Sequence, residues 1–340
     1  MNMAGVPKVA ILGAGSVGCF IGGAWVACGV DVTFVGRPRL SKDVDRFGLT
    51  LTDYTGWEAR LAPGDIDFRC GPEALEDAEV IAVTVKSGDT ATAATDIAKH
   101  AKPGATVISF QNGVSNVEVL EHNLGGKFEV ARGMVPYNIA YLGNGRFHKG
   151  VAGNLYAEPR AVLKALSKAV ERGPATIQLS DDMLALAWGK LLINLNNAVN
   201  ALSGRRLQDE LKRRDYRRVF AASMREGLDI LDQAGIKPAT VGPISPRTLP
   251  RIINSPDWLF NKIFLKRWKI DARARSSMAD DLRSGRKTEI DYLNGELVKL
   301  AERLQRAAPV NRAIVELIHK AEAGAEPLSP KALRKVVLGR

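Results

Sequence analysis

Residues 13–18 read Gly-Ala-Gly-Ser-Val-Gly, placed between an apolar run, Val9-Ala10-Ile11-Leu12, and a small-residue stretch at 16–28. A continuous apolar run predicts a strand covered on both faces, as in a parallel sheet. The stretch after it reads as a helix that can pack closely on that strand. In this setting each glycine has its own use. Gly13 permits a tight turn, Gly15 lets the backbone approach a pyrophosphate, and Gly18 lets helix and strand come close. A second strand-like run, Val30 to Val35, follows about 20 residues on, which is the context a dinucleotide fingerprint requires. The helix start offers unpaired N–H groups and a partial positive charge to phosphates. Gly13, Ala14, Gly15, Ser16, Val17 and Gly18 are therefore the expected cofactor turn.

From Val9 to Val30 there is no charged residue and Lys8 stands before the stretch, a pattern shared with signal peptides and membrane spans. Six glycines, at 13, 15, 18, 22, 23 and 29, argue instead for strand, turn and buried helix. A soluble, untargeted chain with no membrane partner is expected. At 340 residues, 46% hydrophobic and 25% charged, the chain is too long for one typical core and suits two folded domains. Its net charge of +11 favours anionic ligands, yet the basic residues are mixed with acids, as in Asp209-Glu210-Leu211-Lys212-Arg213-Arg214-Asp215. That run reads as a solvated helix face. No zinc-finger, basic-zipper or RNA-recognition signature accompanies it, so nucleic acid is not expected as a partner. Cys19, Cys28 and Cys70 are an odd set without a CxxC pair, which describes neither a disulfide framework nor a zinc site. No metal is expected, and a reducing cytoplasm is the expected location.

The first half alternates β-branched runs with helical stretches. Strands are predicted at 9–12, 30–35, 80–85, 106–110 and 129–135, with helices near 16–28, 89–100 and 115–122. Residues 47–61 suggest a small hairpin or excursion, and further strands are expected between 146 and 158 and at 176–179. This order predicts a Rossmann-type, doubly wound parallel sheet over residues 1–180. Residues 181–202, 207–234 and 276–306 carry helical spacing, so 181–340 is expected to be an all-helical substrate domain. Ile290, Leu293, Leu297, Leu300 and Leu304 read as one apolar stripe of a long helix. The 237–272 segment, with five prolines, reads as irregular chain folded over the surface, and the basic tail after Gly324 as loosely held.

The second strand ends Val35-Gly36-Arg37-Pro38-Arg39, with no acid before Asp43. NAD enzymes usually place a carboxylate there, whereas a 2′-phosphate prefers arginine, so Arg37 points to NADPH. Three further segments are too polar for their apolar surroundings. Lys86 ends the strand at 80–85, and Gln111-Asn112-Gly113 ends the next strand at the same sheet edge. Lys190, Asn194 and Asn197 share one face of an otherwise apolar helix. A buried lysine is costly unless paired or used. Together the three predict a polar cleft.

With these residues assembled, the chain resembles the ketopantoate reductase (2-dehydropantoate 2-reductase) family over nearly its whole length. The resemblance rests on the glycine turn, Lys86, Gln111-Asn112-Gly113 and the Trp-x-Lys-Leu-x-x-Asn helix at 188–194. Its most specific part is Ser276-Ser277-Met278, Asp281-Leu282, Gly285-Arg286-Lys287-Thr288-Glu289-Ile290-Asp291 and Asn294-Gly295. The resemblance implies reduction of 2-dehydropantoate to (R)-pantoate with NADPH, a step toward pantothenate and coenzyme A. It further implies Lys190 as general acid and Glu289 as the carboxylate that binds a substrate hydroxyl or orients the lysine. Ser277 and Asn194 are implied as substrate-binding groups. Asn112 is implied at nicotinamide and substrate, and Lys86 at the cofactor or the substrate carboxylate.

One departure concerns the substrate. The family often carries a second asparagine eight residues after the lysine, where this chain has Ala198, so Asn197 or Asn196 would have to substitute. Reduction of a related small anionic 2-keto acid, an opine-type dehydrogenase and a non-catalytic NADPH-binding regulator stay open as alternatives. A homodimer is compatible with the sequence, which does not fix oligomeric state.

Overall fold

The computed structural model describes residues 5–268, 270–271 and 274–339. By packing, the chain divides between Met183 and Leu184 into two compact units.

The first unit opens with β1 (Val9–Leu12), α1 (Ser16–Val26) and β2 (Val32–Val35). Then come α2 (Pro38–Phe47), an antiparallel hairpin of β3 (Leu49–Asp53) and β4 (Glu58–Leu61), and β5 (Asp67–Arg69). β6 (Val80–Val83), α3 (Thr90–His100), β7 (Thr106–Ser109), α4 (Asn116–Leu124) and β8 (Glu129–Met134) continue the alternation. β9 (Ile139–Tyr141), β10 (Arg146–Lys149), β11 (Leu155–Ala157), α5 (Ala161–Ala169) and β12 (Ile177–Leu179) complete the unit.

Eight strands form one sheet in the order β12-β11-β8-β7-β6-β1-β2-β5. From β5 to β8 every pairing is parallel, and the order reverses at β1, which lies between β2 and β6. That reversal is the switch point at which such sheets bind ligands. The sheet is not wholly parallel, because β11 runs antiparallel to β8. Alternate residues of β1 feed two cores: Val9 and Ile11 pack with α1, whereas Ala10 and Leu12 join the cluster around α3 and α4. Burial on both faces is what the unbroken apolar run required.

The expected excursion at 47–61 is the β3–β4 hairpin, and it belongs to a second, four-stranded sheet ordered β4-β3-β10-β9. The small residues of α1 explain how one helix serves both sheets. A Cβ on Gly22 would come within 2.5 Å of the Phe34 ring of β2, and one on Gly23 within 2.8 Å of Leu51 of β3. Trp25, fully buried, anchors the same helix through an Nε1–H donated to Ala175 O at 2.9 Å.

The second unit is helical among the described residues. It comprises α6 (Met183–Asn194), α7 (Asn196–Ser203), α8 (Leu207–Leu211), α9 (Arg214–Gln233) and α10 (Leu249–Ile253). After them come α11 (Asp257–Leu259), a π-helical turn (Phe260–Phe264), α12 (Leu265–Arg267), α13 (Ser277–Arg283), α14 (Asn294–Arg303), α15 (Pro309–Glu322) and α16 (Pro330–Leu338).

Three expectations need correction. The long helix across 276–306 is two helices, because the chain turns at Gly285 (φ +62°) and Arg286 closes the turn on Asp281. Ile290 and Leu293 are buried, as the stripe required, but they precede α14. The 237–272 segment is irregular as far as Thr248, as expected, but from Leu249 to Arg267 it forms short helices around Arg217, a fully buried side chain of α9. Arg217 donates to Ile253 O and Ser255 O at 2.8 Å each, pairs with Asp257 at 2.9 Å and lies 4.2 Å from the Phe260 ring centroid. Lys269, Ala272 and Arg273 of that segment lie outside the described residues. The tail after Gly324 is held rather than loose. Ser329 caps α16, Leu333 is buried, and Tyr216 donates its hydroxyl to Leu328 O at 2.7 Å. Among the described residues, no helix is long and apolar enough to cross a membrane.

Candidate active site

The glycine turn closes on the sheet's switch point. Gly13 and Ala14 both donate their N–H to Val35 O at 2.9 Å, drawing the turn across β2. Gly13 has φ +99°, and a Cβ there would lie 2.5 Å from the backbone nitrogen of Val85. Gly18 is closed as well, since its Cβ would meet Thr84 Oγ1 at 2.6 Å and Ile11 at 2.8 Å. Gly15 differs: its nearest such neighbour is Gly13 O at 3.8 Å, and the residue is exposed. Open space beside Gly15, next to first-turn N–H groups that have no intrahelical acceptor, is a cradle a pyrophosphate can enter. No acidic side chain stands in the first turn of α1. Ser16 and Val17 form that turn and are partly exposed.

Arg37 is the residue before α2, and its side chain is 84% exposed. Its nearest carboxylate is Asp89, at 3.9 Å, a solvent-exposed pairing worth little. The guanidinium at the end of β2 can therefore turn to a ribose phosphate. The helix that follows begins at Pro38, which suits the first helical position because its missing N–H would be unpaired there anyway.

At the ends of β6 and β7 a buried polar network fixes the backbone. Gln111 donates Nε2–H to Val85 O at 3.2 Å and Thr90 Oγ1 at 2.8 Å, and Ser109 donates to its Oε1 at 3.0 Å. Asn116 donates to Asn112 O and to Ser87 Oγ, while Ser87 Oγ donates to Asn112 O at 3.0 Å. Gln111 is thus a strut between strands. Lys86 and Asn112, both partly exposed, stand on the segments this network holds. Sequence reasoning singled out Lys86 and Asn112 but gave no place to Ser87, Thr90 and Asn116, whose value comes from neighbours distant in sequence.

In the helical unit, Lys190 and Asn194 lie one turn apart on α6, both partly buried. Burial pushes the Lys190 ammonium down and the Glu289 carboxylate partly offsets it, leaving it lowered to about 8. Gly189 beside it has a packing reason, since a Cβ there would collide with the carbonyl oxygen of Ala239. Ala239 in turn donates its N–H to Ala185 O at 2.9 Å, so the start of the 237–272 segment lies on α6. Glu289 precedes a 3₁₀ turn at Ile290–Tyr292. Its position is set by Thr288, whose N–H and hydroxyl both donate to Glu322 Oε1 of α15 at 2.8 Å.

Ser277 opens α13 and is exposed, while Ser276 before it is buried and accepts Ala279 N–H at 3.1 Å as the helix cap. Ala198 is fully buried. Of the two residues considered in its place, Asn196 is committed elsewhere, donating Nδ2–H to Glu210 Oε2 at 3.1 Å. Asn197 is partly exposed. Asn294, part of the most specific string, is structural: it is fully buried and donates to Asn311 Oδ1 at 3.0 Å.

Two family models cover both units. Residues 9–161 match Ketopantoate reductase PanE/ApbA, and residues 182–322 match Ketopantoate reductase PanE/ApbA C terminal. A 2-dehydropantoate 2-reductase of Archaeoglobus fulgidus is 27% identical over 326 residues, 94% of this chain and 99% of the relative. The crystal structure of a PanE/ApbA family ketopantoate reductase from Ralstonia eutropha JMP134 superposes with a TM-score of 0.79 at 27% identity, covering 93% of this chain and 98% of that one. A D-mandelate dehydrogenase solved with NADH and anilino(oxo)acetate shares the fold at 18% identity and a TM-score of 0.77, covering 93% of this chain and 98% of that one. The chain is an oxidoreductase that belongs to the ketopantoate reductase family.

Proposed function

We propose that the protein reduces 2-dehydropantoate to (R)-pantoate with NADPH, a step toward pantothenate and coenzyme A. The observation that carries this reading is Lys190, a lysine on the Asn194 face of α6 whose charge is biased by burial and by Glu289. The first unit is the NADP-binding domain and the second the substrate and catalytic domain. Gly13 to Gly18 hold the pyrophosphate, Arg37 holds the ribose 2′-phosphate, and Lys86 and Asn112 serve the nicotinamide end. A bound nicotinamide supplies the hydride.

Lys190 stabilises the growing negative charge on the carbonyl oxygen and then delivers its proton there, leaving a neutral amine. A lysine poised near 8 is suited to this, because at neutral pH it is charged yet gives up its proton readily. Glu289 orients the ammonium or accepts a hydrogen bond from a substrate hydroxyl. Asn194, Asn197 and Ser277 donate to the substrate. The net charge of +11 favours both an anionic cofactor and a small anionic 2-keto acid.

Ala198 favours a second reading, reduction of a related 2-keto acid, since no amide stands at that buried position. Both readings are tested by following NADPH absorbance with 2-dehydropantoate, 2-ketoisovalerate and pyruvate in wild type and Lys190→Ala. Turnover best with 2-dehydropantoate and lost on Lys190→Ala supports the first reading. Preference for another 2-keto acid supports the second. No turnover of any of the three refutes both.

A further inference from the structure

The asparagines around the end of α6 serve two different faces. Lys190, Asn194 and Asn197 are partly exposed, whereas Asn196 and Asn200 are buried, Asn200 fully. The change of face follows the break at Leu195, where α6 ends and α7 begins. Asn196 donates Nδ2–H to Glu210 Oε2 at 3.1 Å, a carboxyl that is itself fully buried, whereas Asn200 donates Nδ2–H to Arg205 O at 3.3 Å. Asn200 then uses its oxygen for a contact far along the chain: Oδ1 accepts the backbone N–H of Ser276 at 2.9 Å. Ser276 completes the link by donating its hydroxyl to Asn197 O at 3.0 Å.

These contacts join the residues following Asn194 to the residue preceding Ser277. The Ser276 N–H lies at a helix cap, where no intrahelical acceptor exists, and it is buried, so losing its partner would be costly. A fully buried carboxamide engaged at both ends, Nδ2–H on Arg205 O and Oδ1 on Ser276 N–H, is a rigid support for such a link, because its rotamer is already fixed. We propose that Asn200 is a positioning residue for substrate binding, setting where Ser277 stands relative to Asn194. It rests on the reading of Ser277 and Asn194 as substrate ligands. Asn200 touches neither substrate nor cofactor and acts through Ser276.

The test uses the full chain as wild type, Asn200→Ala, Asn200→Asp, Ser277→Ala and the Asn200→Ala/Ser277→Ala double variant. Steady-state kinetics with NADPH and 2-dehydropantoate are combined with amide hydrogen exchange over 276–279. Asn200→Ala is expected to raise the keto-acid KM about tenfold, the worth of one well-placed hydrogen bond, while kcat and the NADPH KM hold. Asn200→Asp keeps an acceptor for Ser276 N–H but loses the donor to Arg205 O and places an acid in the core, so it is expected to recover only part of that loss. In the Ser277→Ala background, Asn200→Ala is expected to add little, since it acts through the serine already removed. Exchange at 276–279 is expected to quicken in Asn200→Ala while the rest of the helical unit keeps its protection.

The proposal is overturned if Asn200→Ala moves kcat and both KM values together, if its effect multiplies with that of Ser277→Ala, or if exchange at 276–279 is unchanged. A wild type that reduces no 2-keto acid instead sinks the functional reading, and the exchange at 276–279 then decides whether Asn200 holds Ser276 at all.

Discussion

The Glu289 carboxylate partly offsets the burial of Lys190: desolvation pushes the lysine down, the glutamate pulls it up, and the balance stands at about 8. An acid must carry its proton to deliver it, so kcat/KM for reduction is expected to be flat below about 8 and to fall tenfold per pH unit above it. Glu289→Gln removes the upward pull and leaves the desolvation, so its limb is expected at lower pH. Lys190→Ala is expected to lose about 10²- to 10⁴-fold in kcat, the usual worth of a positioned acid. A pH–rate profile of the three proteins checks this. A limb that stays in place in Glu289→Gln would show that the glutamate does not set the lysine's charge.

Arg37 offers a guanidinium at the end of β2 and pairs with Asp89 at 3.9 Å. If it binds the 2′-phosphate, Arg37→Ala weakens NADPH and leaves NADH nearly untouched. A charge-assisted hydrogen bond contributes about 1.5–3 kcal/mol, so the NADPH KM is expected to rise roughly 10- to 100-fold. Arg37→Glu is expected to invert the preference toward NADH, because a carboxylate repels the phosphate and can hold a free 2′-hydroxyl. Paired KM measurements with the two dinucleotides decide the point, and equal losses for both would remove Arg37 from the 2′-phosphate site.

Gly13 and Gly15 are two residues apart yet should fail in different ways. Gly13→Ala forces a side chain onto Val85 at φ +99°, so it is expected to lower Tm by several degrees along with dinucleotide binding. Gly15→Ala meets nothing closer than Gly13 O at 3.8 Å and needs no unusual φ, so its Tm is expected to match wild type. Its added methyl stands in the space proposed for the pyrophosphate, and dinucleotide affinity is expected to fall more than tenfold. Thermal unfolding with and without NADPH separates the two. Unchanged affinity in Gly15→Ala would mean that the phosphates lie elsewhere.

The glycine turn was legible because its causes are local. A tight turn, a strand before it and a close-packed helix after it all lie within about 20 residues. The fold class followed from the alternation of apolar runs, and the β3–β4 hairpin could be seen as a hairpin. Its membership in a second sheet could not, because that depends on β10, almost a hundred residues away. The stripe from Ile290 to Leu304 was legible as core but not as two elements, since periodicity is blind to a turn closed by Arg286 on Asp281. In the asparagine-rich stretch, spacing grouped Lys190 with Asn194 and Asn197. It gave no role to Asn196 and Asn200, whose partners Glu210 and Ser276 come from other helices. Gly189 had no sequence rationale either, and its reason is the carbonyl of Ala239 lying on α6.

Glu210 carries the last prediction, which concerns stability rather than turnover. Burial pushes its carboxyl up to about 8 from an ordinary value near 4.5, against the pull of Asn196, Asn200 and Arg217. One of its oxygens, Oε1, has no hydrogen-bond partner among the described residues, so ionising it would leave an unpaired charge in the core. In the folded chain the proton therefore stays on until about 8, whereas the unfolded chain releases it near 4.5. Between those values the folded state binds more protons, so raising the pH favours unfolding, and this part of the stability is lost progressively up to about 8. Glu210→Gln keeps the shape, offers Asn196 a neutral acceptor and does not titrate. Its Tm is expected to fall less than that of wild type between pH 5 and pH 8 (roughly the window set by those two values), with the variant gaining on wild type as pH rises. Comparing the two proteins at each pH cancels the other groups that titrate in the range. Parallel Tm curves would mean that Glu210 ionises in the folded chain at an ordinary pH, and Asn196 would then donate to a buried charge.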